Sequence, residues 1–214
     1  MGPAASRLAR HAATGTVCAI FALASSTSDT AVGASSASSP GTLQPAAGRL
    51  LVATPQLVDP NFAHTVVLVT HHDSQGTLGV IVNWPSDHLL REAVPWVGDF
   101  EERDDRLYIG GPVDPERVVL LLRRSREPPK SERVLDDVWV SGSPETLRDA
   151  MVRRVDESDL RAMAGYAGWA AGQLEAELSR GDWYVVRGRP ELVFDASPQT
   201  LWEALVKRAR LPVA

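Results

Sequence analysis

Two short apolar segments separated by a polar turn constrain the fold of this chain more than any other feature. Residues 65–70 (TVVLVT) are rich in β-branched side chains and almost entirely apolar, which is typical of a strand buried on both faces. Residues 77–82 (TLGVIV) have the same character and follow residues 73–76 (DSQG), a turn-like sequence. The sequence therefore predicts an antiparallel hairpin.

Further apolar runs extend this hairpin into a larger sheet. Additional strands are predicted at residues 50–53, 107–113, 118–122, 138–140, 162–167, 183–186 and 192–194. Helices are predicted after Ser143-Pro144 and Ser197-Pro198, because Ser caps a helix and Pro suits its first turn. One or two helical turns capped by Ser86 are predicted within residues 86–93. Strands come first, helices enter singly and no βαβ alternation occurs, which predicts an α+β fold with a mainly antiparallel sheet.

A glycine-rich segment at residues 165–178 (GYAGWAAGQLEAEL) is predicted to lead from a strand through a turn into a helix that stops at Gly181. A helix that follows such a turn can bind an anion at its N-terminus. However, the pattern G-x-x-G-x-x-x-G has no Lys after it, so it is neither a P-loop nor a dinucleotide fingerprint. Either the glycines allow close packing around Tyr166 and Trp169, or the turn binds a ligand. The candidate ligand-binding residues are Gly165, Gly168, Trp169, Gln173 and Glu175.

Composition and missing motifs argue against most kinds of active site. The only cysteine, Cys18, lies near the N-terminus, and no G-x-S-x-G, H-E-x-x-H or S-x-x-K motif is present. His71 and His72 are adjacent in a predicted strand, so their side chains point to opposite faces and do not share a metal readily. Asp59, Asn61 and Asn83 lie at strand ends, where either binding or turn-forming roles are expected. We therefore predict no catalytic residues, no metal and no cofactor.

The net charge of the chain is unfavourable for binding nucleic acid. The formal net charge of the 214 residues is -5, so contact with phosphate backbones needs a local basic patch. Residues 123–133 contain five basic residues, but Glu127 and Glu132 dilute them and no aromatic residue is present for base stacking. This segment is predicted to be an exposed, solvated loop, and nucleic acid is predicted not to be a partner.

The first 47 residues differ in composition from the rest. Arg7 and Arg10, an apolar run at residues 16–24 and the small residues around Ala24 together form the pattern of a secretory signal cleaved after Ala24. A transit peptide or a start codon assigned too early are the alternatives. Residues 25–47 have the composition of a linker, and residues 48–214 are predicted to form one domain. The apolar run is too short to span a membrane.

Several of these motifs, in this order, resemble the YqgE/AlgH family over about residues 48–210. The resemblance rests on residues 50–60 (LLVATPQLVDP), Phe62, residues 71–79 (HHDSQGTLG), Asn83, Pro85, residues 108–113 (YIGGPV), residues 165–178, Trp183 and Phe194-Asp195. It implies an α+β fold whose sheet bends into a pseudo-barrel, flanked by a few helices, and a cytoplasmic location. It implies no activity and supplies no catalytic residues. Trp84, Ala170, Ala171 and Arg123 or Arg124 depart from the residues usual in the family.

These observations predict a non-enzymatic binding or regulatory protein that recognises a protein partner or a small ligand. The first alternative is a small-molecule binder or enzyme that uses residues 165–175. The second alternative is a transcriptional regulator that contacts DNA, although the sequence shows no helix-turn-helix pattern. Export through the N-terminal signal is the alternative to a cytoplasmic location.

Overall fold

The computed structural model describes residues 43–95 and 103–210. The predicted signal, Cys18 and most of the predicted linker lie within residues 1–42, outside the described part. The described residues form ten strands: β1 (Arg49–Ala53), β2 (Val66–Asp73), β3 (Gly76–Ile81), β4 (Pro85–Leu89), β5 (Arg106–Ile109), β6 (Val113–Arg123), β7 (Glu132–Leu135), β8 (Val138–Ser141), β9 (Leu160–Ala170) and β10 (Trp183–Arg187). Five α-helices accompany them, with one 3-10 helix at Glu157–Asp159: α1 (Leu90–Ala93), α2 (Pro144–Val152), α3 (Gln173–Arg180), α4 (Pro190–Phe194) and α5 (Pro198–Ala209).

The predicted hairpin is confirmed as β2 and β3, which pair antiparallel. Its turn is stabilised by Asp73, whose Oδ1 accepts hydrogen bonds from the backbone N–H groups of Gln75 at 2.7 Å and Gly76 at 3.2 Å. Nε2 of His71 donates to the other carboxylate oxygen at 2.9 Å. These contacts hold the pKa of Asp73 below its usual value, chiefly through the His71 hydrogen bond and then through the Gln75 amide.

The strands form a curled, mainly antiparallel sheet that makes a half-barrel, so the predicted α+β class and bent sheet are confirmed. Eight strands follow one another in the order β10-β1-β2-β3-β9-β6-β8-β7, and β5, with β4 attached to it, joins β9. The β5–β9 pairing is parallel, whereas the other pairings are antiparallel. At the open seam of the curl, the backbone around Val134 at the end of β7 closely approaches Gly48 beside β1.

Successive side chains of the central strands point to opposite faces of the sheet, and the apolar core is therefore divided between these two faces. Val66 and Leu68 of β2 pack in a cluster that draws on strands from both ends of the sheet and on α4 and α5. Val67 and Val69, which point the opposite way, pack in a second cluster with Trp169, Trp183 and α3. These four side chains of β2 are fully buried, which confirms the prediction of a strand that is buried on both faces. A third cluster lies between β6, β9 and α2.

Residues 85–93 and 192–194 are two segments in which the local structure differs from the sequence prediction. Of the helical turns predicted within residues 86–93, only α1 at Leu90–Ala93 is formed, because residues 85–89 form β4. The Ser86 hydroxyl donates to the Leu107 carbonyl at 2.8 Å instead of capping a helix. Residues 192–194, predicted as a strand, belong to α4, which Pro190 begins. In both cases pairing or packing with distant residues decides between two conformations that the local sequence permits.

The turn predicted within residues 165–172 begins later than expected. β9 continues through Gly165 and Gly168 as far as Ala170, so these two glycines belong to the strand. Only Ala171 and Gly172 separate β9 from α3. The prediction that α3 ends at Gly181 is confirmed, with φ of 81° at that residue. No helix in residues 43–95 or 103–210 has the length and apolar character needed to cross a membrane.

Candidate functional site

The two glycines of β9 have different surroundings. Gly165 has a left-handed φ of 71°, and a Cβ atom there would lie 2.6 Å from the carbonyl oxygen of Gly111 and 2.8 Å from that of Val113. Neighbouring Gly110 accepts a hydrogen bond from Ile81 N at 2.9 Å and donates to Ala164 O at 2.8 Å. The glycines of residues 108–113 and of β9 therefore allow three strand segments to approach closely. Gly168 is exposed and in ordinary contact distance of its neighbours.

The polar side chains of α3 have partners within the chain. Gln173 accepts a hydrogen bond from the backbone N–H of Ala170 at 3.1 Å and donates to Glu177 Oε1 at 3.1 Å. Glu175 is half-exposed, and its carboxylate lies 3.9 Å from Nε2 of His72. His72 also forms a 2.8 Å hydrogen bond with Thr77 through Nδ1. Gln173 thus ties the end of β9 to α3, and ligand binding by it and by the other four candidate residues remains a prediction.

Glu177, which the sequence analysis did not select, organises the aromatic cluster beneath α3. Its Oε2 accepts hydrogen bonds from the indole N–H groups of Trp169 and Trp183, each at 2.9 Å. The two rings meet edge to face at 5.9 Å, and Phe62 stacks on Trp169 at 5.8 Å. The tryptophans are 5% and 4% exposed, so few other acceptors reach their N–H groups. Only the fold brings residues 169, 177 and 183 together.

Arg123 lies at the end of β6 and is not part of a solvated loop, in contrast to the prediction for residues 123–133. Its guanidinium donates to Asp159 at 2.7 Å and to both carboxylate oxygens of Asp195 at 2.9 Å. The two carboxylates raise its pKa, Asp195 more than Asp159. The guanidinium also lies 5.1 Å from the centroid of the Phe194 ring. These contacts give Arg123 a structural role in joining β6 to the region after α4.

The other strand-end residues singled out in the sequence form hydrogen bonds with backbone groups. Asn83 accepts from the backbone N–H of Val66 at 2.7 Å and donates to the carbonyl of His64 at 3.0 Å. Asp59 accepts from the backbone N–H of Asn61 at 2.7 Å. In residues 43–95 and 103–210 no three His, Cys, Asp or Glu side chains come close enough together to hold a metal ion.

A cleft of about 830 Å³ lies at the seam of the half-barrel. Arg49 at the start of β1, Arg187 at the end of β10, Arg189 just before α4 and Arg208 near the end of α5 line it. We call this the arginine cleft. Asp136 in the turn between β7 and β8 and Glu191 in α4 also contribute to its lining. A smaller cavity of about 160 Å³ lies elsewhere, between β6 and the start of α2.

The four arginine side chains of the cleft make no hydrogen bond, ion pair or ring contact with any other part of the chain that the structure describes. The two carboxylates in the lining are likewise outside the ion-pair distance of 4.0 Å from them. This site was missed in the sequence because its arginines are separated by up to 159 positions. The only local signal is residues 187–189 (RGR), where two arginines flank a glycine.

Comparison with known proteins agrees with the resemblance seen in the motifs. Residues 50–214 match the profile of DUF179, described as AlgH-like. A UPF0301 protein of Chlorobium luteolum is 39% identical over 163 residues, which span 76% of this chain and 85% of that protein. A UPF0301 protein of Stenotrophomonas maltophilia is 37% identical over 166 residues, spanning 76% of this chain and 88% of that protein.

Two solved structures share the fold. The crystal structure of a protein from Corynebacterium diphtheriae superposes with a TM-score of 0.67 at 27% identity, covering 80% of this chain and 91% of that one. The solution structure of the AlgH protein from Pseudomonas aeruginosa gives a TM-score of 0.65 at 31% identity, covering 83% of this chain and 94% of that one. With the profile match over most of its length, the chain belongs to the YqgE/AlgH family, whose members are also named UPF0301 proteins.

Proposed function

We propose that this protein is a non-enzymatic binding or regulatory protein that acts by holding an anionic ligand or partner in the arginine cleft. Family membership assigns no activity, so the proposal rests on the residues themselves. The observation that carries it is that four guanidinium groups without a partner among the described residues line one cleft of a chain whose net charge is negative.

The electrostatics of the cleft favour an anion. Four like charges around one depression repel one another, and an anion placed between them removes that repulsion and supplies hydrogen-bond acceptors. Several arginines elsewhere in the described structure, among them Arg103, Arg123 and Arg153, are already paired with carboxylates. The guanidinium groups of the cleft are therefore available to a ligand in a way that those of the paired arginines are not.

The lining supports binding rather than chemistry. Apart from the four arginines and the two carboxylates, it consists of Ala, Gly, Leu and Pro residues. It contains no hydroxyl, thiol, imidazole or amine side chain, so the carboxylates of Asp136 and Glu191 are its only candidates for a nucleophile or general base. Arginine remains protonated at neutral pH, so it binds and orients anions without exchanging protons.

Thermal unfolding of the full chain with three anionic probes tests this proposal. The probes are inorganic tripolyphosphate, poly-L-glutamate and a DNA duplex, each at constant ionic strength. We expect at least one to raise the melting temperature of the wild type and to lose that effect in the variant Arg187→Gln/Arg189→Gln. The variant Arg124→Gln/Arg126→Gln, which changes the net charge equally outside the cleft, serves as control. Equal responses from both double variants would contradict the proposal.

The β9–α3 segment is the alternative ligand site, with Gly165, Gly168, Trp169, Gln173 and Glu175 as contacts. Exposure of Gly168, Gln173 and Glu175 supports it, since a ligand can reach them. A metabolite that stabilises the wild type but neither Gln173→Ala nor Glu175→Ala would favour this site over the arginine cleft. A ligand effect that persists in both variants but is absent from Arg187→Gln/Arg189→Gln would favour the cleft.

A transcriptional role through DNA is a further alternative, for which the arginine cleft offers a basic surface. It predicts cleft-dependent DNA binding that weakens steeply with added salt, because counterions are released from DNA on binding. The proposal also includes a cytoplasmic location, with export after cleavage behind Ala24 as its alternative. The intact mass of the protein isolated from its native host distinguishes the two, since export predicts a mature chain that begins at Ser25.

A further inference from the structure

The chemistry of the arginine cleft narrows the class of ligand, and this inference rests on the proposed binding function. Guanidinium groups present a planar fork of N–H donors that matches the oxygen atoms of phosphate and carboxylate groups. Four such groups exceed what one phosphate or one carboxylate needs. The cleft is therefore suited to a ligand with two or more separate anionic groups.

The size of the cleft points to a small molecule. Its volume of about 830 Å³ lies within the range of roughly 300–1,000 Å³ found for small-molecule and cofactor sites. The arginines come from the ends of β1 and β10, from the residue before α4 and from the last turn of α5. Arg49 and Arg187 are register partners on β1 and β10, and Arg189 and Arg208 line the same depression from the segments that follow.

Two further observations separate a small ligand from nucleic acid. No aromatic residue is among the lining residues, so the cleft offers no surface on which bases could stack. Asp136 and Glu191 interrupt the basic surface, and their carboxylates would repel the continuous phosphates of a duplex. The same two carboxylates can accept hydrogen bonds from hydroxyl or amino groups of a small ligand.

We propose that the arginine cleft binds a small metabolite that carries at least two phosphate groups together with hydroxyl or amino groups. Arg49, Arg187, Arg189 and Arg208 bind the phosphates, and Asp136 and Glu191 accept hydrogen bonds from the neutral donors. An acidic segment of a protein, which would present carboxylates on an extended chain, is the competing occupant.

Isothermal titration calorimetry of the full chain with inorganic tripolyphosphate tests the ligand class. Orthophosphate and poly-L-glutamate are titrated in parallel, in a buffer without divalent cations at constant ionic strength. We expect tripolyphosphate to bind with one site per chain and at least tenfold more tightly than orthophosphate. Each of Arg187→Gln and Arg189→Gln should weaken it about tenfold, as expected for the loss of a charge-assisted hydrogen bond. Arg126→Gln, outside the cleft, should leave the affinity within about twofold.

The other outcomes separate this inference from the proposed function. If poly-L-glutamate binds through Arg187 and Arg189 and tripolyphosphate does not, the phosphate assignment is wrong and the anion-binding function stands. If no probe binds, or if Arg126→Gln weakens tripolyphosphate as much as Arg187→Gln does, both are wrong. Melting temperatures of the variants without ligand show whether each one is folded. The variant Arg187→Lys/Arg189→Lys should bind tripolyphosphate more tightly than Arg187→Gln/Arg189→Gln, because it keeps the positive charges.

Discussion

Replacing Glu177 by Ala removes the acceptor that the indole N–H groups of Trp169 and Trp183 share. Both tryptophans are about 95% buried, so the two N–H groups would be left largely without hydrogen bonds. A buried donor that loses its partner costs about 1–3 kcal/mol. Two such donors cost about 2–6 kcal/mol, and a change of a few tenths in helix propensity does not offset that.

We expect a loss of about 3 kcal/mol in the free energy of unfolding, toward the lower part of that range, because Glu177 is only partly buried and water will reach its vacated site. For a domain of this size the loss corresponds to a fall of roughly 6–12 °C in melting temperature. Urea unfolding followed by tryptophan fluorescence gives the free energy directly, because two of the probes are the affected residues.

Two variants control for other causes. Glu177→Gln keeps a carbonyl oxygen as acceptor and should lose only about 1 kcal/mol. Glu175→Ala makes the same change at a half-exposed position two residues earlier in the helix and should stay within about 0.5 kcal/mol of the wild type. If Glu177→Ala destabilises no more than Glu175→Ala does, the shared acceptor does not stabilise the aromatic cluster and the reasoning is wrong.

Three further predictions concern the glycine junction, an ion-pair network and the hairpin turn. Gly110→Ala should lower the free energy of unfolding, measured in urea, by about 3 kcal/mol or more, because its Cβ would collide with the Gly165 carbonyl oxygen. Gly172→Ala has open space around it and should lower it by about 1 kcal/mol because of the positive φ at that position. Equal losses in the two variants would contradict the packing argument. Arg123→Met should cost about 1–2 kcal/mol at low salt and less in 1 M NaCl, since its carboxylate partners are partly exposed; a loss independent of salt would exclude an electrostatic cause. The pKa of the Asp73 carboxyl is lower in the folded than in the unfolded chain, so the ionised carboxylate stabilises the fold above its unfolded-state pKa. This stabilisation is lost as the pH falls through its folded-state pKa. Between about pH 5 and pH 2, Asp73→Asn should therefore lose less stability than the wild type, as measured by urea unfolding.

Local patterns were sufficient to predict the class of fold. The β2–β3 hairpin, the mainly antiparallel sheet and the ends of α2 and α3 follow from β-branched runs, a polar turn, Ser-Pro at a helix start and Gly at a helix end. The errors lie where distant partners decide. Residues 85–89 become a strand by pairing with β5, and β9 runs on through two glycines because it is held between β3 and β6.

The candidate sites were predicted less well because they are assembled from distant residues. Glu177 gains its role from two tryptophans on different strands, and Arg123 from carboxylates 36 and 72 positions away. The four arginines of the cleft meet only because β1 and β10 are neighbours and α4 and α5 follow β10. Because most basic residues of this sequence are arginines, the sequence alone does not indicate which of them lie together in the cleft.

Backbone amide shifts in a ¹H–¹⁵N spectrum, recorded while tripolyphosphate is added to the full chain, test the central claim most directly. Gly48 and Gly188 line the arginine cleft, and Gly168 and Gly172 mark the β9–α3 segment, so glycine amides report on both candidate sites. The account predicts saturable shifts at Gly48 and Gly188, with Gly168 and Gly172 unchanged. Shifts confined to Gly168 and Gly172, or no saturable shift at Gly48 and Gly188, would contradict it.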